Sequence, residues 1–242
     1  MESRTPPKAL SSHHPHSNGG FIGEMVYGAL DGMVTTFAVV AGVAGAALSS
    51  DIILILGFAN LLGDGVSMAA GAYLSEKSKQ DAYLRERKKE EAEITQNPET
   101  EKEELRNAFR AKGFSGEELD AVVNAIAKHK EAWADTVLSR ETNGSATPKR
   151  PLQSAAYTFA AFVIAGFIPL LAFVLALFIP FFAAHKFESA VILTGLAIFG
   201  VGSLRSLVIQ KKWFMAGLEM LLVGGAAALV AFGIGTLIGG LI

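Results

Sequence analysis

Charged residues are concentrated in one segment of this 242-residue chain, and that distribution limits the possible folds more than any other feature. Residues 76–150 contain 15 of the 21 Lys and Arg residues and 16 of the 23 Asp and Glu residues. The rest of the chain is almost free of charge, whereas a soluble domain distributes charge over its whole surface. The pattern predicts a membrane protein with one polar insert.

Five apolar stretches flank this segment, and each is long enough to cross the hydrocarbon core, which requires about 20 helical residues. They occupy residues 21–48, 52–74, 152–179, 189–209 and 214–242. We therefore predict an all-α membrane protein with five transmembrane helices and a cytosolic helical insert between the second and third. The predicted domains are a disordered N-terminal tail, transmembrane helices 1 and 2, the insert, and transmembrane helices 3 to 5, at residues 1–20, 21–75, 76–150 and 151–242.

The orientation follows from the basic residues, which favour the cytosolic side of a membrane. A cytosolic insert places the N-terminal tail and the loop at Lys211 and Lys212 on the same side, and only Lys186 on the other. The C-terminus then lies on the far side. The tail is polar, with no apolar segment typical of a signal peptide, and its His13, His14 and His16 are interpreted as solvated.

Composition also excludes several kinds of site. The chain contains no Cys, which rules out a disulfide scaffold, a Cys-based zinc site, thiol catalysis and iron–sulfur ligation. A net charge of −2 gives no indication of nucleic-acid binding.

Two acidic residues, Asp31 and Asp64, lie well inside apolar stretches, away from their ends. A carboxylate at this depth costs at least about 2.5–3.5 kcal/mol, and it usually faces a polar path, a partner or a proton. No basic residue lies in the middle of any stretch, so metal ions and protons remain as partners. A hydrogen bond between helices, with one Asp protonated, is the alternative.

Polar residues around both acids have helical spacing. Thr35 follows Asp31 by four residues, and a second set shares one face of the next helix: Asn60, Asp64, Ser67, Met68 and Gly71. Carboxylate and amide oxygens suit hard divalent cations, and a thioether adds preference for a transition metal. We predict a transport path lined by Asp31, Thr35, Asn60, Asp64 and Met68, whereas Met33 is expected to pack.

The insert is predicted to be helical throughout, with two pairs of glutamates at i and i+3. The first helix continues from the second apolar stretch to Asn97, where Pro98 begins the next helix. The pairs are Glu90 with Glu93 and Glu101 with Glu104. Two such helices packed together can form a carboxylate metal site; a solvated face paired with lysines is the alternative.

Two further signals concern helix ends. Ser115 with Glu118 predicts a capping box for a third helix of the insert. Glu219 follows Lys212 by seven residues and precedes 23 uncharged residues, which places it at the cytosolic interface. It has a structural role or, alternatively, is an entrance ligand.

These motifs resemble the vacuolar iron transporter family of yeast and plant vacuolar iron and manganese importers and their bacterial relatives. The most specific are LDGMVTTFA at 30–38 and GFAN at 57–60 followed by DGVSMA at 64–69. YLS at 73–75, GFIPL at 166–170 and GLEM at 217–220 also agree with it. The resemblance covers about residues 20–242.

The resemblance implies a five-helix homodimer whose ion path runs between the subunits and is lined by Asp31 and Met68. It implies Fe²⁺ transport out of the cytosol in exchange for protons, without a cofactor, with Mn²⁺ and other divalent cations as further candidates. The family's cytosolic metal-binding glutamates fall on Glu90, Glu93, Glu101, Glu104 and Glu141. Plant members have a carboxylate at Asn60 and a Met pair where this chain has Val137 and Leu138, which implies an insert that ligates metal through oxygen alone.

Two other functions compete with transport. A membrane-anchored iron buffer or sensor needs no acids within the membrane, and a ferroxidase needs Glu-x-x-His pairs that the insert lacks. A non-enzymatic transporter is therefore expected, in the vacuolar membrane of a eukaryote or the inner membrane of a bacterium. We also expect the homodimer to form through the first span, because Gly28 and Gly32 allow close helix approach, as Gly235 and Gly239 do in the last.

Overall fold

A computed structural model of the chain describes residues 19–141, 149–209 and 211–241, and every regular element in these ranges is helical. The N-terminal tail with its histidines lies outside them, apart from its last two residues. The helices are α1 Gly19–Gly45, α2 Ser50–Gln96, α3 Pro98–Ala111, α4 Gly116–Ala127, α5 Lys130–Glu141, α6 Pro151–Gly166, α7 Ile168–Leu175, α8 Pro180–Ala184, α9 Lys186–Ile209 and α10 Trp213–Gly239.

The chain divides into two compact units. The first unit comprises Met1–Met68 and Ala156–Ile242, and the second comprises Ala69–Ala155. Helix α2 continues without a break from the second apolar stretch to Gln96, as the absence of Gly and Pro after Glu76 predicts.

Four of the described helices are long and apolar enough to cross a membrane: α1, α2, α9 and α10. The third predicted span is not one straight helix. It consists of α6 and α7, which meet at an angle of 43° and supply a fifth crossing if they act together. Pro169, in the first turn of α7, has no N–H to bond the carbonyl of Ala165, so the ladder is interrupted there. Helix α7 ends at Leu175 rather than at residue 179.

Glycines bring α1 close to two other helices of the first unit. A β-carbon on Gly28 would lie 2.9 Å from the carbonyl oxygen of Thr158 in α6, and one on Gly32 would overlap the carbonyl of Phe162. The predicted close approach is therefore confirmed, but its partner is α6 of the same chain. The premise that these two glycines form the dimer contact is wrong, because they are already covered.

The far half of α1 packs against α10 in the same way. Gly235 approaches the backbone of Gly42, and a β-carbon on Gly239 would lie 2.7 Å from the Cα of Ala46. The small residues of both helices therefore allow backbone contact without a side chain between them.

The second unit has its own apolar core, formed by α2, α3, α4 and α5. Its buried members are Ile94, Leu105, Leu119, Val123, Trp133, Ala134 and Val137. Helices α3 and α4 begin where the sequence predicts, but Asn97 and Ser115 make no capping hydrogen bond through their side chains. The predicted capping box is therefore wrong in its contacts, although the helix boundary is right.

Gly235 and Gly233 provide a matched test of this packing. We expect Gly235→Ala to lower the melting temperature of the purified protein, because overpacking against the Gly42 carbonyl costs about 1–3 kcal/mol. Gly233→Ala adds the same methyl group where nothing lies within 4 Å, and it should melt with the parent. Equal melting of both variants would contradict close packing of α1 and α10.

Candidate metal-binding sites

Asp31 lies on α1 and Asp64 on α2, both within the first unit, and both side chains are half-buried. Among the described residues neither forms an ion pair with Lys, Arg or His. Two half-buried carboxyl groups thus lie in apolar helices without a basic partner in the described part of the chain.

The polar face of α2 lies at the edge of the packed core. Gly57 contacts Leu170, and Gly65 contacts Phe159, so this side of the helix is covered. Asn60, Asp64 and Met68 lie beside it and are half-buried, whereas Ser67 and Gly71 are exposed. The predicted polar stripe is therefore one continuous face that its own chain covers only in part.

The individual side chains of this region differ in their partners. The Thr35 hydroxyl donates a hydrogen bond to the Asp31 carbonyl oxygen at 2.8 Å, which leaves its lone pairs free to accept. The side-chain nitrogen of Asn60 is buried and has no acceptor among the described residues. Met33 is fully buried, which confirms its packing role, and Met68 packs against the apolar cluster.

Sequence reasoning missed several buried polar residues, among them Thr36 and Glu76. The hydroxyl of Thr36 is fully buried and has no partner in the described part of the chain. Glu76 is buried beside Lys79, whose Nζ lies 2.6 Å from its carboxylate. Thr36 follows Thr35 directly, and Glu76 is the first residue of the charged segment, so position alone did not distinguish either from its neighbours.

The predicted glutamates of the second unit fall into two environments. Glu90 and Glu101 are 6% and 8% exposed and precede the core residues Ile94 and Leu105 by one turn. The alternative prediction, a solvated face paired with lysines, therefore does not apply to Glu90 and Glu101. Glu93 is half-buried and lies 3.8 Å from Lys89, and Glu104 is exposed.

The predicted glutamates whose side chains the structure describes are not assembled as a metal site. Within residues 19–141, 149–209 and 211–241, no three His, Asp or Glu side chains lie close enough to hold a metal ion. Glu141 ends α5, but its side chain lies outside the described part of the structure.

Glu219 forms an ion pair at the start of α10. The Lys211 Nζ lies 3.3 Å from its carboxylate, and both side chains are exposed. Nearby, Arg205 donates to the sulfur of Met220 at 3.6 Å. These contacts favour the structural role predicted for Glu219.

Comparison with known proteins identifies the family of this chain. The profile of the VIT family matches residues 22–236, which include both units. The chain belongs to the VIT family.

Named relatives agree with this membership. The chain is 35% identical over 216 residues to vacuolar iron transporter 1 of Eucalyptus grandis, covering 89% of this chain and 85% of that protein. It is 34% identical over 229 residues to vacuolar iron transporter 1 of Arabidopsis thaliana, covering 93% and 90%. The vacuolar iron transporter of Toxoplasma gondii is 31% identical over 233 residues, covering 93% and 77%.

Proposed function

We propose that this VIT family protein transports Fe²⁺ out of the cytosol in exchange for protons. The observation that carries the proposal is that Asp31 and Asp64 are half-buried within apolar helices of a chain similar to named vacuolar iron transporters. The protein is a transporter and not an enzyme. Iron is its cargo, and the activity needs no cofactor.

The exchange follows from the cost of charge in hydrocarbon. Two neighbouring carboxylates without a cation repel each other and are poorly solvated, so protons or a divalent ion must neutralise them. An ion that enters from the cytosol displaces the protons, and protons return when the ion leaves. Asn60, Thr35 and Met68 supply further oxygen and sulfur donors along the same path.

The path is completed by a second copy of the chain. Tyr27, Asp31 and Thr35 share a face of α1 that its own helices cover only in part: Tyr27 is 62% exposed, and the other two are half-buried. Lipid on this face would solvate Asp31 badly. A homodimer with two facing α1 helices would instead enclose both Asp31 residues in one polar path.

The insert captures the ion on the cytosolic side through Glu90, Glu93, Glu101, Glu104 and Glu141. The i, i+3 spacing of the two pairs on neighbouring helices supports this role, and Glu90 and Glu101 are buried in the second unit. Val137 and Leu138 are buried, as apolar residues at these positions should be. The site therefore ligates through oxygen alone and accepts Mn²⁺ as well as Fe²⁺.

The orientation places the N-terminus and the insert in the cytosol and the C-terminus on the far side. Lys186 donates a hydrogen bond to Ser50 at 3.1 Å, which ties α9 to α2 at the end assigned to the far side. The membrane is that of the vacuole in a eukaryote, or the inner membrane in a bacterium.

Asp31→Asn tests the transport mechanism, since it removes the charge and the exchangeable proton but keeps the size. We expect the variant to insert and to move no Fe²⁺ into proteoliposomes under any pH gradient. Asp51→Asn, at the exposed start of α2, is the control and should transport at the parent rate. Met68→Leu should change the preference between Fe²⁺ and Mn²⁺ more than the rate.

Native Fe²⁺ flux with intact proton dependence in Asp31→Asn would contradict the mechanism and make Asp64 the next carboxylate to examine. A parent chain that binds Fe²⁺ without any flux would instead identify an anchored buffer.

Replacing the four paired glutamates with Gln tests capture by the insert. We expect the full-length variant to lose most of the calorimetric heat of Mn²⁺ binding and to transport more slowly, because these residues supply ions and do not conduct them. A control variant changes four exposed glutamates, namely Glu86, Glu99, Glu117 and Glu118, and carries the same charge change. Equal loss in both variants would contradict a specific site.

Crosslinking tests the dimer. Gly42 is a poor position for a probe, because it faces Ala231 of the same chain. Tyr27→Cys lies on the open face of α1, and the chain has no native Cys, so a short crosslinker should join two copies in membranes. Leu229→Cys, on the exposed side of α10, is expected to remain monomeric. Failure of Tyr27→Cys to crosslink would contradict a dimer through α1.

A further inference from the structure

Arg87 joins α2 to α5 within the second unit, and neither the sequence motifs nor the proposed function uses it. Its Nε lies 3.0 Å from a carboxylate oxygen of Asp135, and its terminal nitrogen lies 3.6 Å from Glu131. Glu91, on the next turn of α2, lies 3.5 Å away. One guanidinium group thus contacts carboxylates of both helices.

Asp135 also accepts a hydrogen bond from the Tyr83 hydroxyl at 2.9 Å. Burial, together with this hydrogen bond, raises the pKa of Tyr83, so the hydroxyl remains a donor at neutral pH. At the start of α5, Lys130 donates to the Thr95 hydroxyl at 2.5 Å. Tyr83 and Thr95 are about three turns apart on α2, so two separate points of α2 contact the short helix α5.

These contacts matter because α5 does not follow α2 directly along the chain. Asn97 alone separates α2 from α3, so the chain itself fixes the two glutamate pairs near each other. Helices α3 and α4 intervene before α5, which ends at Glu141. Its apolar contacts through Trp133, Ala134 and Val137 are not directional, whereas the hydrogen bond from Tyr83 to Asp135 is. The charge of Arg87 adds an ion pair to the same carboxylate, although its Nε makes no hydrogen bond among the described residues.

We propose that Arg87 and Asp135 are positioning residues for metal capture, because they set the register of α5 against the glutamate-bearing part of α2. This inference rests on the proposed capture of metal by the insert. Neither residue binds the ion: the Asp135 carboxylate is already engaged by Arg87 and Tyr83. Removing the contact leaves all five proposed ligands in place but displaces the helix that carries one of them.

The chain contains a matched control in the same unit. Arg106 lies 2.6 Å from Asp120 and 3.1 Å from Glu103, and thereby joins α3 to α4. Its exposed fraction, 29%, is close to the 25% of Arg87. Because α4 carries none of the proposed ligands, loss of this second contact should not change metal binding.

The test measures Mn²⁺ binding to the full-length protein by calorimetry. The heat that remains in the variant without the four paired glutamates is subtracted, so that only binding through the insert is compared. We expect Asp135→Asn to weaken binding by about 10-fold or more, as loss of an outer-shell contact typically does. Asp120→Asn makes the same charge change and should remain within about twofold of the parent. Asp135→Glu keeps the carboxylate and should restore most of the affinity.

Arg87→Met distinguishes positioning from ligation. If Asp135 positions α5, this variant weakens Mn²⁺ binding as Asp135→Asn does. If Asp135 is instead a ligand held back by Arg87, the variant binds more tightly, and the inference is wrong. Equal affinity of Asp135→Asn and the parent, or equal loss in Asp120→Asn, would also overturn it. A parent chain that binds no Mn²⁺ through the insert would overturn the proposed capture site itself, and this inference with it.

Discussion

The cost of a carboxylate in hydrocarbon is the constraint on which the rest of the first unit depends. Asp31 and Asp64 lie within helices that are otherwise apolar, and no described basic side chain neutralises them. In the proposed exchange, Fe²⁺ and protons are the partners that neutralise these carboxyl groups, and both must be able to reach and leave them. A bundle with this requirement needs a polar face that stays accessible, which an apolar anchor would not keep.

Helix α1 meets that requirement through its glycines. Gly28 and Gly32 bring it against α6, and Gly42 brings it against α10, so two of its sides are closed by backbone contact. Asp31 and Thr35 lie on another side of α1 and are only half-buried in a single chain. Close packing inside the subunit thus leaves this polar side partly uncovered, and in the proposed homodimer the second subunit covers it.

Periodicity predicted which residues share a face but not what faces them. The sequence indicated the apolar stretches, the continuous α2, the acidic pair and the glutamate spacing, because these depend on one helix at a time. The bend at Pro169, the α6 partner of Gly32 and the burial of Glu90 depend on which helix packs opposite. The Arg87 contacts were missed for the same reason: Arg87 and Asp135 are separated by two intervening helices, and spacing within α2 carries no signal of α5.

The resemblance to plant members implies a carboxylate at position 60, where this chain has Asn60, with Asp64 one turn later. Four residues along a helix advance the side chain by about 6 Å but keep it on nearly the same face. Asp64 therefore lies on the same face of α2 as Asn60 at a different depth, while the Asn60 amide offers an oxygen donor at the original level. In the proposed path, a shift of the charge by one turn keeps the carboxylate on the lining face, whereas a shift by two residues would turn it away.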